Sequence, residues 1–372
     1  MIPVSRPSIG DEELKAVGDV FKAGWLGMGS KVKEFENKII EYLGDPNRQA
    51  IAVNTGTTAL HLALDTLGVG IGNEVIVPSL TFVASIQAIT QTGATPVFCE
   101  IEAETLNLDI SDLKRKINKK TKVIMPVHYR GEACDMAAIM NLASEHGLRV
   151  VEDAAHAFGS SYKGKKIGSF GDITCFSFDP IKNITCGEGG ALVFSDKKLL
   201  ETMQQKRILG IDKDTWSRYR NERSWFYDVL TQGYRYHMSN INAVIGLEQL
   251  KKLTAFVARK NEIAMRYDAA FDKIAGISVL KTNYSETALF TYIIKVIDGR
   301  DSLIDHLKEK GVGSGIHYIP SHMFTFCQKY RTPLPATEET YKQILTLPLY
   351  YDMTDAEVEK VIAAVESFFA ES

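Results

Sequence analysis

The sequence predicts an α/β protein, with a large domain built on a mostly parallel seven-stranded sheet and a smaller α+β domain after it. Three observations predict it. Seven short β-favouring runs alternate with amphipathic helical patterns between residues 50 and 194. A helical pattern then starts at Ser239 and continues to about Ile274, longer than most helices confined to one domain. The chain has 372 residues, too many for one small core and suited to a large domain plus a lesser one.

In chain order, residues 1–14 are expected to form an N-terminal arm and residues 1–240 the large domain. The strand runs are Ala50–Val53, Glu74–Val77, Thr95–Glu100, Lys122–Val127, Arg149–Glu152, Ile173–Phe178 and Ala191–Phe194. Helical patterns at Thr57–Leu67, Ser79–Thr92, Met136–His146 and Lys198–Leu209 separate or follow them. Repeated βαβ units give parallel strands with helices on both faces, and ligands of such sheets bind beyond the carboxyl ends of the strands. Ser239 is a good N-cap for the long pattern, which reads as a spine joining the two domains. Residues 241–372 then hold this helix, one strong strand at Phe290–Val296, and helices at Arg300–Glu309 and Asp355–Phe369.

Composition narrows the function classes. Apolar content is 45%, charged content 24% and net charge -3, with Lys and Arg spread along the chain. That excludes the basic footprint of a nucleic-acid or anionic-membrane binder. The N-terminus lacks the basic and apolar regions of a signal peptide, and no run approaches 18 apolar residues, so a cytoplasmic protein is expected. The five cysteines, Cys99, Cys134, Cys175, Cys186 and Cys327, are odd in number and widely spaced, which implies neither a zinc site nor a disulfide framework.

The chemistry centres on Phe176–Gly190, FSFDPIKNITCGEGG. Pro180 stops the incoming strand, Lys182 follows on a turn, and Gly187, Gly189 and Gly190 precede the next apolar run. Two strands folding back would present the lysine amine between them. A lysine is nucleophilic only when neutral, so its pKa of about 10.4 must fall by roughly 3 units, and burial does that. Alone, the segment describes a solvated lysine more readily.

Asp153 ends a buried strand in VVEDAAHAFGS, with His156 three residues later. A carboxylate buried there either faces a cation, such as a protonated pyridine nitrogen, or caps the next helix. In AVNTGTTALHLAL a strand ends at Asn54 and a helix begins near Gly56 and Thr57, converging amides and hydroxyls on one point. This is a generic anion site and also an ordinary helix cap. Phe82, after a strand ending at Pro78, suits a flat ring or a core. Two phosphate-loop lookalikes fail: Gly159–Lys166 has lysine where a magnesium ligand belongs, and Gly68–Gly72 lacks GxGxxG spacing.

Together with the PVHYRG run at 126–131, GYRYHMSNINA at 233–243 and LPLYYDMT at 347–354, these segments resemble the DegT-type sugar-nucleotide aminotransferases of the aspartate aminotransferase fold. The match runs in order from Ser5 to near the C-terminus. The resemblance implies a fold-type I, pyridoxal phosphate-dependent enzyme acting as a homodimer with active sites at the subunit interface. It implies pyridoxal 5'-phosphate held covalently by Lys182, with pyridoxamine phosphate carrying the amino group between half-reactions. It further implies Asp153 on the pyridine nitrogen, Phe82 on the ring, His156 by the ring or its hydroxyl, and Gly56, Thr57 and Ser177 on the phosphate. Arg235 stands where the family usually has an asparagine that reaches the cofactor phosphate across the dimer, and a guanidinium there suits either that phosphate or a substrate diphosphate. Arg130 stands where a small residue is common, and suits an anion contact. Trp25, His317, His322 and Arg220, the last from the Arg- and aromatic-rich stretch 216–227, are candidates for substrate or for interface packing.

The implied reaction moves an amino group from L-glutamate to a dTDP- or UDP-linked 4-keto-6-deoxy sugar, giving a 4-amino sugar for polysaccharide or O-antigen synthesis. Amination at carbon 3, a UDP-4-keto-pentose substrate, and a non-catalytic cofactor-binding regulator remain the alternatives.

Overall fold

The computed structural model describes residues 1–212 and 227–370. Its main sheet contains β1 (Gln49–Val53), β2 (Glu74–Pro78), β3 (Thr95–Cys99), β4 (Thr121–Ile124), β5 (Arg149–Asp153), β8 (Ile173–Ser177) and β9 (Gly190–Phe194), while β6 (Ser161–Tyr162) and β7 (Lys165–Lys166) form a small separate hairpin. The strand order is β1-β9-β8-β5-β4-β2-β3. Pairings from β3 across to β8 are parallel, whereas β9 is antiparallel to both β8 and β1, so β9 alone runs against the rest.

The strands are apolar on both faces because both are covered. Ile51, Val53, Cys175, Leu192 and Phe194 point into one core with α3 (Gly56–Thr66), α4 (Val83–Gln91) and α7 (Lys197–Arg207). Their neighbours Ala50, Ala52, Phe176, Ala191 and Val193 point to the other side, against α2 (Ser30–Leu43). Farther along that face, α5 (Ile110–Lys116) and α6 (Met136–His146) cover Ile76, Ile124 and Val150. The period-2 alternation expected of strands is thus present but invisible as polarity.

Two helices begin in the stretch before the first strand. α1 (Asp11–Ala23) starts inside the segment expected as an arm, and α1 and α2 both have glycine N-caps with no side-chain cap bond. Glu13 supplies the missing partner at α1, accepting from the Gly10 amide at 2.9 Å. The residues before α1 pair with the later part of the chain: Ile2 accepts from Gly313 at 2.8 Å and Val4 accepts from Leu349 at 3.0 Å.

The long helix α8 (Asn240–Phe271) has 32 residues, and Ser239 caps it by accepting from the Asn242 amide. Ala243, Val244 and Leu247 in its first half pack with the main sheet, and Ile263, Ala264, Tyr267 and Phe271 in its second half enter a different core. That second core belongs to a three-stranded antiparallel sheet, β10 (Ile277–Val279), β11 (Tyr292–Val296) and β12 (Ile344–Leu347), with helices α9 (Arg300–Glu309) and α11 (Asp355–Ala370). Among the described residues no helix is long and apolar enough to cross a membrane. All five cysteines are free and buried.

Candidate active site

The antiparallel β8–β9 pair carries the turn that holds Lys182. Phe178 donates to Gly189 and accepts from Cys186, closing the loop, and the Lys182 amide donates to Asp179 at 3.1 Å. Asn183 fixes the next step, its Nδ2 donating to the Phe158 and Ala288 carbonyls, both at 3.0 Å. The Lys182 amine therefore turns inward, 4.0 Å from the centre of the Phe290 ring. Burial lowers its pKa to about 8, against the opposite pull of Asp179 and Asp153.

Asp153 ends β5 and is buried. It accepts from Ser85 Oγ at 2.7 Å and from the Ala155 amide at 3.1 Å. Burial raises its pKa, and the Ser85 hydrogen bond opposes that. The PVHYRG run braces this strand end: the His128 amide donates to the Asp153 carbonyl, and the Asp153 amide to Pro126. Under it lies a buried network in which Glu152 accepts from Gly171, Thr174 and His128 Nε2. The Cys134 amide donates to His128 Nδ1, which leaves a proton on Nε2 toward Glu152.

His156 lies between rings, 4.3 Å from Phe290 at 18° and 5.8 Å from Tyr318 at 29°. Its Nε2 is 3.0 Å from the Tyr318 hydroxyl, and its buried Nδ1 has no partner. Burial, then the Lys182 charge, push its pKa well below the usual range. His317 is likewise neutral, lowered to about 4 chiefly by burial, with Nδ1 2.9 Å from Thr346 Oγ1. Phe82 is 55% exposed and lies 5.5 Å from the Tyr318 ring, so its face is open rather than in the core.

At the start of α3, Thr55 caps the helix by accepting from Thr58, and the following amides are left for a ligand. The end of β8 comes so close that a Cβ on Gly56 would lie 2.7 Å from Ser177 Cβ. Gly56 and Ser177 thus meet only because position 56 has no side chain. Gly56→Ala is expected to lower stability by about 1–3 kcal/mol and to weaken phosphate retention; thermal melts with and without inorganic phosphate measure both effects.

Other candidates lie elsewhere. Trp25 donates to Met28 and lines a groove of about 900 Å³ between α1, α2 and α8 that contains none of the residues above. Arg235 is exposed, and its carbonyl accepts from Asn54 Nδ2 at 3.4 Å. Arg220 lies outside the described residues. His322, a substrate candidate, is fully buried, with Nδ1 2.7 Å from Ser79 Oγ and Nε2 3.1 Å from Glu338, so both nitrogens are engaged within the fold. Arg130 is not an anion contact either. It is buried with φ +50°, bonded to Glu132, Thr282 and the Lys281 carbonyl, and clamps the main sheet to the segment before β11. Sequence reasoning did not single out Ser85 and Phe290. Ser85 had a signal, standing one helical turn after Phe82 and so on the same side of α4.

A model of the DegT/DnrJ/EryC1/StrS aminotransferase family matches residues 7–366. The chain belongs to this family. It is 40% identical, over 98% of this chain and 96% of the relative, to the spore coat polysaccharide biosynthesis protein SpsC of Bacillus subtilis. Among solved structures it superposes on the putative sugar aminotransferase Spr1654 of Streptococcus pneumoniae in its PMP form, with TM-score 0.93, 32% identity and complete coverage of both chains. It also superposes on Helicobacter pylori PseC, an aminotransferase of pseudoaminic acid biosynthesis, with TM-score 0.92, 28% identity and complete coverage of both chains. The expected fold-type I architecture is therefore present, and the chain is a pyridoxal phosphate-dependent sugar aminotransferase serving polysaccharide or sugar biosynthesis.

The residues present fit that cofactor on three counts. The Gly56–Ser177 approach is a cradle that one methyl group would fill. Asp153 is a buried carboxylate whose charge asks for a cation. The His156 Nδ1 is a buried polar atom waiting for a partner.

Proposed function

We propose that this enzyme takes the amino group of L-glutamate and delivers it to carbon 4 of a dTDP- or UDP-linked 4-keto-6-deoxy sugar, giving a 4-amino-4,6-dideoxy sugar nucleotide for polysaccharide or O-antigen synthesis. The observation that carries the reading is the Lys182 amine, interior and held near pKa 8, in one site with the buried Asp153. The names of SpsC and PseC, tied to polysaccharide and pseudoaminic acid biosynthesis, support a sugar acceptor.

In this reading the amides of Gly56 and Thr57 and the Ser177 hydroxyl hold the cofactor phosphate. Phe82 covers one face of the ring, and His156 Nδ1 takes a ring substituent. Asp153 keeps the proton on the pyridine nitrogen. Bound there, pyridoxal phosphate supplies an electron sink that makes the C–H beside an attached amine acidic. Lys182, neutral for a useful fraction of molecules near pH 8, would take that proton and return it to the carbon on the other side of the shared nitrogen. One water would supply the keto oxygen as the amino acid leaves as 2-oxoglutarate and its amino group stays with the cofactor, and the same steps in reverse would convert the sugar C=O to CH–NH₂ and release a water. The chain works as a homodimer, with Arg235 of one subunit reaching an anion in the other's site and Trp25, His317 and Arg220 contacting the nucleotide sugar.

Incubating the holoenzyme with L-glutamate and a panel of dTDP- and UDP-keto sugars tests this. Mass spectrometry and NMR are expected to find a 4-amino sugar nucleotide together with 2-oxoglutarate. Amination only at carbon 3 overturns the position, and no aminated nucleotide from any ketone overturns the reaction.

A further inference from the structure

A second amine lies in the interior beside the Lys182 turn. Lys260, in the middle of α8, is 6% exposed, and its Nζ donates to Asn183 Oδ1 at 2.5 Å. Asn183 is the residue after Lys182, and both protons of its amide nitrogen are engaged by the Phe158 and Ala288 carbonyls. Its oxygen is therefore locked toward Lys260. Lys260 and Lys182 line the same small cavity, about 30 Å³, with Arg6, Ser8, Gln249 and Tyr350. Among the described residues no carboxylate forms an ion pair with Lys260; the charge acting on it is the Lys182 ammonium. An interior ammonium held only by a neutral amide is costly, and two facing one another are costlier.

We propose that Lys260 is a positioning residue for the reacting amine, forming with Lys182 a coupled pair in which Lys260 takes up charge as Lys182 gives it up. Discharging Lys182 removes the repulsion on Lys260, so the cavity keeps a nearly constant charge while the reacting amine cycles. The two groups then have titration steps that belong to the pair. Burial, then the Lys182 charge, hold Lys260 at about 7, below Lys182 at about 8. Asp179 and Asp153 draw protons toward Lys182. His156 and His317, both neutral, face it from the segments after β5 and before α10 (Pro335–Gln343). Arg6, Tyr350 and Tyr351 face the pair from the arm and from the segment after β12.

The catalytic use of this pair rests on the role proposed for Lys182; the coupling itself does not, and is read in cofactor-free protein. Lysine side-chain NMR titration is expected to find an interior amine with a midpoint near 7 that is absent in Lys260→Met. In Lys182→Met that midpoint is expected to rise by about 1 unit. In Lys260→Arg, which fixes a charge at the position, the Lys182 midpoint falls by about 1 unit, roughly a tenfold rise in the ratio of neutral to charged amine at pH 7. Should Lys182→Met not fold, the arginine variant gives the same answer. Midpoints that stay put in the folded variants, with only thermal stability changed, overturn the proposal. Failure of the amino-sugar assay with shifted midpoints removes the acceptor assignment and leaves the coupling standing.

Discussion

Lys182→Ala is expected to lower turnover by about 10⁴-fold or more, and to leave the purified protein without the visible absorption of a covalently held cofactor. The side chain is the amine best placed to act on a bound ring: it is interior, at the carboxyl end of the sheet, and beside Asp153. The loss follows from chemistry rather than collapse. An interior amine with a lowered pKa binds its proton less tightly in the fold than in the unfolded chain, so its charged form subtracts stability and alanine relieves that. Unchanged or raised thermal stability beside lost activity is the expected pair of results. In the wild-type protein, the rate at which cofactor-free enzyme captures pyridoxal phosphate should rise with pH and level off above about 8, where Lys182 is neutral. A flat profile between pH 7 and 9 contradicts the assignment.

Asp153→Asn carries the second largest effect, a fall in turnover of about 10²- to 10³-fold with cofactor still retained by Lys182 and the Gly56–Ser177 cradle. Asparagine keeps the shape and can still accept from Ser85, so what is removed is the charge. The sign for stability is opposite to that for activity. Burial raises the Asp153 pKa, so the folded chain holds the proton more tightly than the unfolded chain. Ionisation above the ordinary carboxylate range then costs folding stability that the asparagine variant does not lose. Melting of cofactor-free protein at pH 7 should therefore find the variant at least as stable as wild type. Near-normal turnover in Asp153→Asn would remove this carboxylate from the ring nitrogen.

These two groups were legible in the sequence because strand-end chemistry is local. Asp153 is the last residue of the short strand Arg149–Asp153, and Pro180 with the following glycines marks the Lys182 turn. The seven strands and α8 stood out for the same reason, each being a long enough unbroken pattern. The second sheet was only partly visible. β10 has three residues, and β12 follows α10 with no turn residue between them, so neither leaves a recognisable period. His322 shows a different limit. A histidine near a substrate-lining loop looks alike whether it faces a ligand or, as here, closes a hydrogen bond to Ser79 in the interior. Lys260 was hidden by its helix, where a lysine every few residues reads as solvent-facing until the packing shows otherwise.

The arm has a consequence for the order of assembly. Ile2 and Val4 belong beside Gly313 and Leu349, more than three hundred residues downstream. On the ribosome this segment thus waits for more than three hundred further residues before these hydrogen bonds exist, while the main sheet can close around β1 to β9 much earlier. The arm works as a late latch: made before the main sheet, it is seated only once the residues around the second sheet exist.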